Sequence, residues 1–170
     1  MKLYYFLLTL LVLNSCADRK DKPQFAENEN SEIEVYDFNE LQDLLEAAGD
    51  DDTYVVNFWA TWCKPCIKEL PLFEALHNNE NENLKVILVS LDFPGELESK
   101  LIPFVKENEL RSQVVLLDDP YENEWIPKVD STWSGAIPAT LIFNRTGRSF
   151  YEKSFTEKEL NDEIIKFTKT

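Results

Sequence analysis

A chain of 170 residues has room for one domain with a full hydrophobic core plus appended segments. Its 44% hydrophobic and 12% aromatic residues supply that core, and a net charge of −15 makes the surface strongly acidic. Such a surface repels nucleic-acid phosphates and anionic lipid headgroups, which argues against a nucleic-acid partner, although simple solubility accounts for the charge equally well.

In chain order, Met1-Lys2 gives a short positive start, Leu3 to Leu13 form an apolar run too short to span a bilayer, and Asn14-Ser15-Cys16 follows. This is the layout of an export signal, and the ending Leu13-Asn14-Ser15-Cys16 resembles the lipobox of bacterial lipoproteins, in which the cysteine becomes the lipidated first residue. The alternative is an N-terminal strand or core helix that buries Cys16. Residues 1–15 are therefore expected to be a lipoprotein-type signal peptide. Residues 16–32, charged and nearly free of large apolar side chains, are expected to be a flexible tether reaching at most about 50 Å. With Cys16 assigned to lipid, Cys63, Cys66 and the lone His77 are too few for a closed zinc site or an iron–sulfur cluster, so no metal and no cofactor is expected.

The folded domain is expected over residues 33–170. Phe38, Leu41, Leu44, Leu45 and Ala48 share a helical face, with Asn39 or Asp37 as cap and Gly49 as stop. Thr53 to Ala60 reads as a buried strand, followed by a helix from about Cys63 to His77 interrupted by Pro71, and Leu84 to Leu91 as the next buried strand. Leu97, Leu101, Phe104 and Val105 predict a helix that Pro103 kinks or splits, before a strand at Val114 to Leu117. A brief helix over Asn123 to Val129 precedes strands at Ala139 to Phe143 and Arg148 to Ser154, joined by the turn Asn144-Arg145-Thr146-Gly147. A last helix runs from about Glu157 to Thr168, opened by a Thr156/Glu159 capping box. The fold class is α/β, a mixed sheet flanked by helices.

Chemistry concentrates in Trp62-Cys63-Lys64-Pro65-Cys66, at the junction of the first buried strand and its helix. Disulfide exchange needs an accessible thiolate and a second thiol to resolve the mixed disulfide. Cys63 at the helix start suits the first role, because the unpaired N–H groups and the dipole there favour negative charge by up to about 2 kcal/mol. Cys66, one turn on and more buried, suits the resolving role. Glu69, three residues further, could exchange a proton with Cys66 if partly desolvated; on spacing alone it is equally a solvated surface acid. Trp62 offers a contact surface or plain packing.

The segment Phe58-Trp59-Ala60-Thr61-Trp62-Cys63-Lys64-Pro65-Cys66-Ile67-Lys68-Glu69-Leu70-Pro71 resembles the active site of the TlpA/ResA-like branch of the thioredoxin superfamily, a likeness running from about residue 36 to the C-terminus. The resemblance implies a thioredoxin-like fold with a helix–strand insertion at about Gly95 to Leu117. It also implies that Ile137-Pro138 is a cis-proline loop against the dithiol, leaving the Ile137 backbone to pair with an extended substrate. Substrate contact would then fall to Trp62, Lys64, Pro65, Ile137 and Pro138; a turn proline would have the same sequence. Two departures stand out. Asn57 occupies the place of thioredoxin's buried aspartate, so that proton-transfer role is absent or has moved to Glu69. Ala139 follows Pro138 where threonine is usual.

The function expected is a membrane-anchored thiol–disulfide oxidoreductase of the cell envelope, facing the periplasm and acting as a monomer. Its partners would be exported protein thiols and disulfides, with a membrane thiol reductase as electron donor, as the resemblance implies. The alternative is a copper-handling lipoprotein of the same superfamily, for which the cysteine spacing is wrong. A peroxidase of the peroxiredoxin type expects threonine three positions before the reactive cysteine, where Ala60 stands.

Overall fold

Every residue from Thr53 to Trp59 is buried, as a strand covered on both faces must be, and the sheet is assembled around this strand, β2. The computed structural model describes residues 33–46, 52–78 and 83–168; the expected signal peptide, Cys16, the tether, Ala48 and Gly49 lie outside them. Before β2 come β1 (Glu34–Tyr36) and α1 (Phe38–Glu46); after it come α2 (Lys64–His77), β3 (Leu84–Ser90), α3 (Ile102–Glu107), β4 (Gln113–Leu117) and α4 (Glu122–Val129). The chain closes with β5 (Ala139–Asn144), β6 (Gly147–Tyr151) and α5 (Glu157–Thr168).

The strands form one sheet in the order β1-β4-β3-β2-β5-β6. β1, β4, β3 and β2 are parallel neighbours, while β5 and β6 run antiparallel. Alternate residues of each central strand serve opposite layers. Val55 and Trp59 of β2 pack with Leu70 and Phe73 of α2 and Leu160 and Ile164 of α5. Tyr54, Val56 and Phe58 pack with Leu41 and Leu44 of α1 and Trp125 and Val129 of α4. The expected mixed α/β sheet flanked by helices is the observed fold. Among the described residues no helix is long and apolar enough to cross a membrane.

The stretch from Pro94 to Leu117 behaves as an insertion: it places β4 between β1 and β3 and pairs it with both. Its helix runs on through Pro103, changing from π-helical to α-helical just before it rather than splitting. A 3-10 turn (Pro94–Glu96) and a π-helical turn (Leu97–Leu101) lead into α3, and Pro103 falls in the first turn of α3, where its missing N–H costs nothing. Asp37 caps α1 in a reciprocal box with Glu40, and the Thr156/Glu159 box opens α5.

Two further features differ from expectation, the passage of α2 through Pro71 and the end of β6. α2 starts at Lys64 with Cys63 as its cap, and it continues through Pro71 to His77. The strand expected to reach Ser154 stops at Tyr151, because the next residues are drawn out of the sheet. There the Glu152 carboxylate accepts from Ser134, and the Phe155 N–H donates to Glu69.

Candidate active site

Where β2 ends, its last carbonyl, that of Trp59, still accepts from Leu91 N–H at 2.8 Å. The chain then turns tightly, with Cys63 N–H donating to the Ala60 carbonyl at 3.0 Å. Helix α2 follows at once, its first turn containing Pro65. Capping by Cys63 is direct: the Cys66 N–H points at Cys63 Sγ, 3.4 Å away. The two sulfurs are joined as a disulfide with an S–S distance of 2.02 Å.

Burial separates the two sulfurs. Cys66 is fully enclosed and Cys63 keeps 5% of its surface, so an incoming group reaches Cys63 first. The expectation of an open Cys63 is corrected in degree: α2 and the loop ahead of β5 leave only a narrow approach. In that loop the Ile137–Pro138 bond is cis, and the Ile137 carbonyl oxygen lies 3.8 Å from Cys63 Sγ. Pro138 is buried, Ile137 half-buried, and Trp62, Lys64 and Pro65 are exposed. Trp62, with 56% of its surface exposed, is not part of the core packing.

The loop is held from several sides. Trp133 Nε1–H donates to the Ala136 carbonyl at 2.8 Å, and the Ser134 N–H and hydroxyl both donate to Glu152. Gly135 has φ +92 and lies so close to Ile126 that an added Cβ would sit 3.1 Å from its Cδ1; a side chain would be both strained and crowded there.

Glu69 is no solvated surface acid. Only 2% of it is exposed, and its oxygens accept from Asn57 Nδ2 at 3.2 Å and from Phe155 N–H at 2.8 Å. Burial pushes its carboxyl above the usual range, against the opposing pull of these two donors. Cys66 precedes it by one turn on the same buried side of α2. Asn57, in the place of the buried aspartate, and Glu69, the residue to which that role could have moved, are hydrogen-bonded partners.

Sequence reasoning missed Asp92. Buried just past β3, its carboxylate accepts the Thr61 N–H at 3.0 Å, the Thr61 hydroxyl at 2.6 Å and the Ser90 hydroxyl at 2.8 Å. It thereby fixes the residue before Trp62. The next residue, Phe93, is 66% exposed, so two large aromatic side chains, Trp62 and Phe93, are exposed on segments that the Asp92–Thr61 bonds join. The signal available was an acid directly after a buried strand, which by itself points nowhere. His77 is the last residue of α2, about 16 Å along the helix axis from Cys66. Among the described residues no group of three His, Cys, Asp or Glu side chains could hold a metal ion.

Residues 22–148 match the AhpC/TSA family. Among curated proteins, a thiol-disulfide oxidoreductase ResA of Bacillus cereus is 32% identical over 94 residues, 55% of this chain and 49% of that protein. The sporulation thiol-disulfide oxidoreductase A of Bacillus subtilis is 32% identical over 63 residues, 36% of this chain and 38% of that protein. The chain thus spans about half the length, or less, of these relatives. Of solved structures, a thioredoxin-related protein from Neisseria meningitidis serogroup B superposes with a TM-score of 0.62 at 20% identity, covering 74% of this chain and 91% of that one. StoA from Bacillus subtilis superposes with a TM-score of 0.53 at 23% identity, covering 67% and 83%. These likenesses establish a thioredoxin-like fold.

Proposed function

The chain belongs to the AhpC/TSA family, and from that premise we propose that it is a thiol–disulfide oxidoreductase working through Cys63 and Cys66. The observation that carries this is the disulfide at the cap of α2, its outer sulfur facing the Ile137 carbonyl.

In the reducing direction the steps follow from burial. Reduced Cys63, as thiolate, attacks a target disulfide: a Cys63–target S–S bond forms, the target's bond breaks, and the departing target sulfur takes a proton. Cys66 then loses its proton to Glu69, and its sulfur attacks Cys63 Sγ. The Cys63–Cys66 bond forms, the mixed disulfide breaks, and the second target sulfur leaves as a thiolate that is protonated in turn. The target gains two electrons and two protons; the chain is left oxidised. The cycle requires a two-electron thiol donor that restores the dithiol, a part we assign to a membrane thiol reductase.

We place the protein outside the cytoplasm, anchored through a lipidated Cys16, with exported proteins as substrates and a monomeric state. The leader-like residues 1–15 support this location. Copper handling fits less well, since His77 sits at the far end of α2 from the cysteines. A peroxidase role also fits poorly, since the hydroxyl of Thr61 is held by Asp92.

The test is insulin reduction together with trapping by a Cys66→Ser variant, which blocks resolution and accumulates the mixed disulfide. Capture of an exported protein on Cys63 is expected. An accessible dithiol with no turnover in either direction would defeat the proposal.

A further inference from the structure

Asn57 on β2 and Glu69 on α2 meet in the interior, neither of them in contact with solvent to any useful extent. The Asn57 side-chain nitrogen faces three acceptors: Thr140 Oγ1 at 3.1 Å, Glu69 Oε1 at 3.2 Å and the Ala139 carbonyl at 3.4 Å. Its own oxygen, Oδ1, is equally buried and receives no hydrogen bond. An amide NH2 has two hydrogens, so one end of this side chain is oversubscribed and the other idle. Buried polar groups are normally paired, and the imbalance points to a second arrangement.

Glu69 supplies the reason for one. Oε1 faces the Asn57 donor and Oε2 the Phe155 N–H, an environment made for the carboxylate. The carboxylic acid carries an O–H that needs an acceptor. The Phe155 N–H cannot become one. Asn57 can, because half a turn of its amide exchanges nitrogen and oxygen, bringing Oδ1 to Glu69. The Thr140 hydroxyl, which accepts in the first arrangement, can rotate to donate to the same oxygen in the second.

The other groups around Glu69 leave this task to Asn57. Cys66, one turn earlier on α2, is the titratable neighbour. β5 contributes the neutral Thr140 and Ala139. The segment after β6 contributes Phe155, with Lys153 Nζ 4.8 Å from the centre of its ring and itself paired with Glu159. Among the described residues, the hydrogen bonds of the Glu69 carboxyl are those to Asn57 and Phe155.

We propose that Asn57 is a positioning residue whose amide turns over with the protonation of Glu69, giving the carboxylate a donor and the carboxylic acid O–H an acceptor as the buried group takes the Cys66 proton and returns it. The inference rests on Glu69 serving as the base for Cys66. In the resolving step the Cys66 S–H proton moves to Glu69 Oε1, the sulfur's freed electron pair forms the bond to Cys63, and the amide turns to accept the new O–H.

The test uses the isotope-labelled full chain in its oxidised and reduced forms, followed by NMR across the titration of Glu69. Nuclear Overhauser contacts between the Asn57 amide protons and the Glu69 side chain are expected above the Glu69 midpoint and lost below it. In Glu69→Gln the Asn57 amide should show no pH dependence. Contacts that persist at both ends while the Glu69 carboxyl carbon titrates would overturn the inference. In Asn57→Leu, loss of one donor to the carboxylate should move the acid limb of mixed-disulfide resolution up by about one pH unit; an unmoved limb counts equally against it. A wild-type chain that reduces no protein disulfide at any pH would instead defeat the oxidoreductase function itself, and an active one with a static Asn57 amide only the inference.

Discussion

The Asp92 carboxylate accepts both the backbone N–H and the hydroxyl of Thr61, at 3.0 and 2.6 Å, so the acid that ends the β3 connection fixes the turn that presents Cys63. Ser90 adds a third donor, and the group is buried. Asp92→Ala would strand these donors inside the protein, at a cost of about 2–3 kcal/mol. Asp92→Asn should cost less, because one acceptor survives. Urea denaturation measures both, and the rate of Cys63 alkylation in the reduced protein reports whether the turn has loosened. Wild-type stability and alkylation in Asp92→Ala would show that Thr61 is held by something else.

Trp62 and Phe93 follow Thr61 and Asp92 directly and are largely exposed. The Asp92–Thr61 bonds tie the two segments together, and these two exposed rings are expected to cover an apolar side chain beside a substrate cysteine. Replacing both with alanine should change stability by no more than about 0.5 kcal/mol. It should lower kcat/KM for a protein disulfide about tenfold, equivalent to roughly 1.4 kcal/mol of transition-state binding. Turnover of a small-molecule disulfide, which cannot reach the rings, should hold. Equal losses on both substrates would place the effect at the sulfurs instead.

The layer structure was legible in the sequence because it is local. The nearly unbroken apolar run from Tyr54 to Trp59, the helical spacing in Phe38 to Leu45 and the Thr156/Glu159 box each depend on residues a few positions apart. The position of β4 between β1 and β3 was not, since strand order is decided by long-range pairing that leaves no periodic trace. The same holds within the site. The dithiol and Glu69 stand in one short segment, whereas the Asp92–Thr61 and Phe155–Glu69 bonds join residues brought together only by the completed sheet. The early end of β6 belongs with them: Glu152 and Phe155 find better partners outside the ladder than in it.

Glu69 makes stability depend on pH with a definite sign. Burial pushes its carboxyl above the ordinary 4.5, despite the donors Phe155 and Asn57, so the folded chain holds this proton to higher pH than the unfolded chain. Its contribution is complete below pH 4.5 and is lost as pH rises through the raised value. Glu69→Gln should remove that slope, so the wild type loses stability relative to the variant as pH rises. Glu163 and Glu152 are depressed, and Glu159 is pulled down to about 2. Their contributions have the opposite sign, present above the usual carboxylate range and lost on acidification. Glu152 and Glu159 are exposed and Glu163 half-buried, so solvent screens them, and being common to both chains they cancel in the comparison. Parallel denaturation curves from pH 4 to 9, taken as roughly the working range of these groups, would contradict the assignment.

Ser134 gives Glu152 both its N–H and its hydroxyl, and these bonds hold the Glu152 carboxyl below its usual range. They tie the loop of Ile137 and Pro138 to the end of β6, 18 residues further along the chain. Glu152 is exposed, so Glu152→Ala should cost less than about 1 kcal/mol of stability once solvent screening is allowed for. Its effect should appear where the loop does its work. With the tether cut, the Ile137 carbonyl is no longer kept against Cys63, and an extended substrate must order the loop as it binds. KM for a peptide disulfide should rise about threefold, a fraction of 1 kcal/mol, with kcat little changed. Glu152→Gln, which keeps an acceptor without the charge, should fall between the two. If KM is unchanged while hydrogen exchange shows the loop loosened, the loop's position is set by Trp133 and Gly135 alone, and the Ser134–Glu152 pair serves only to end β6.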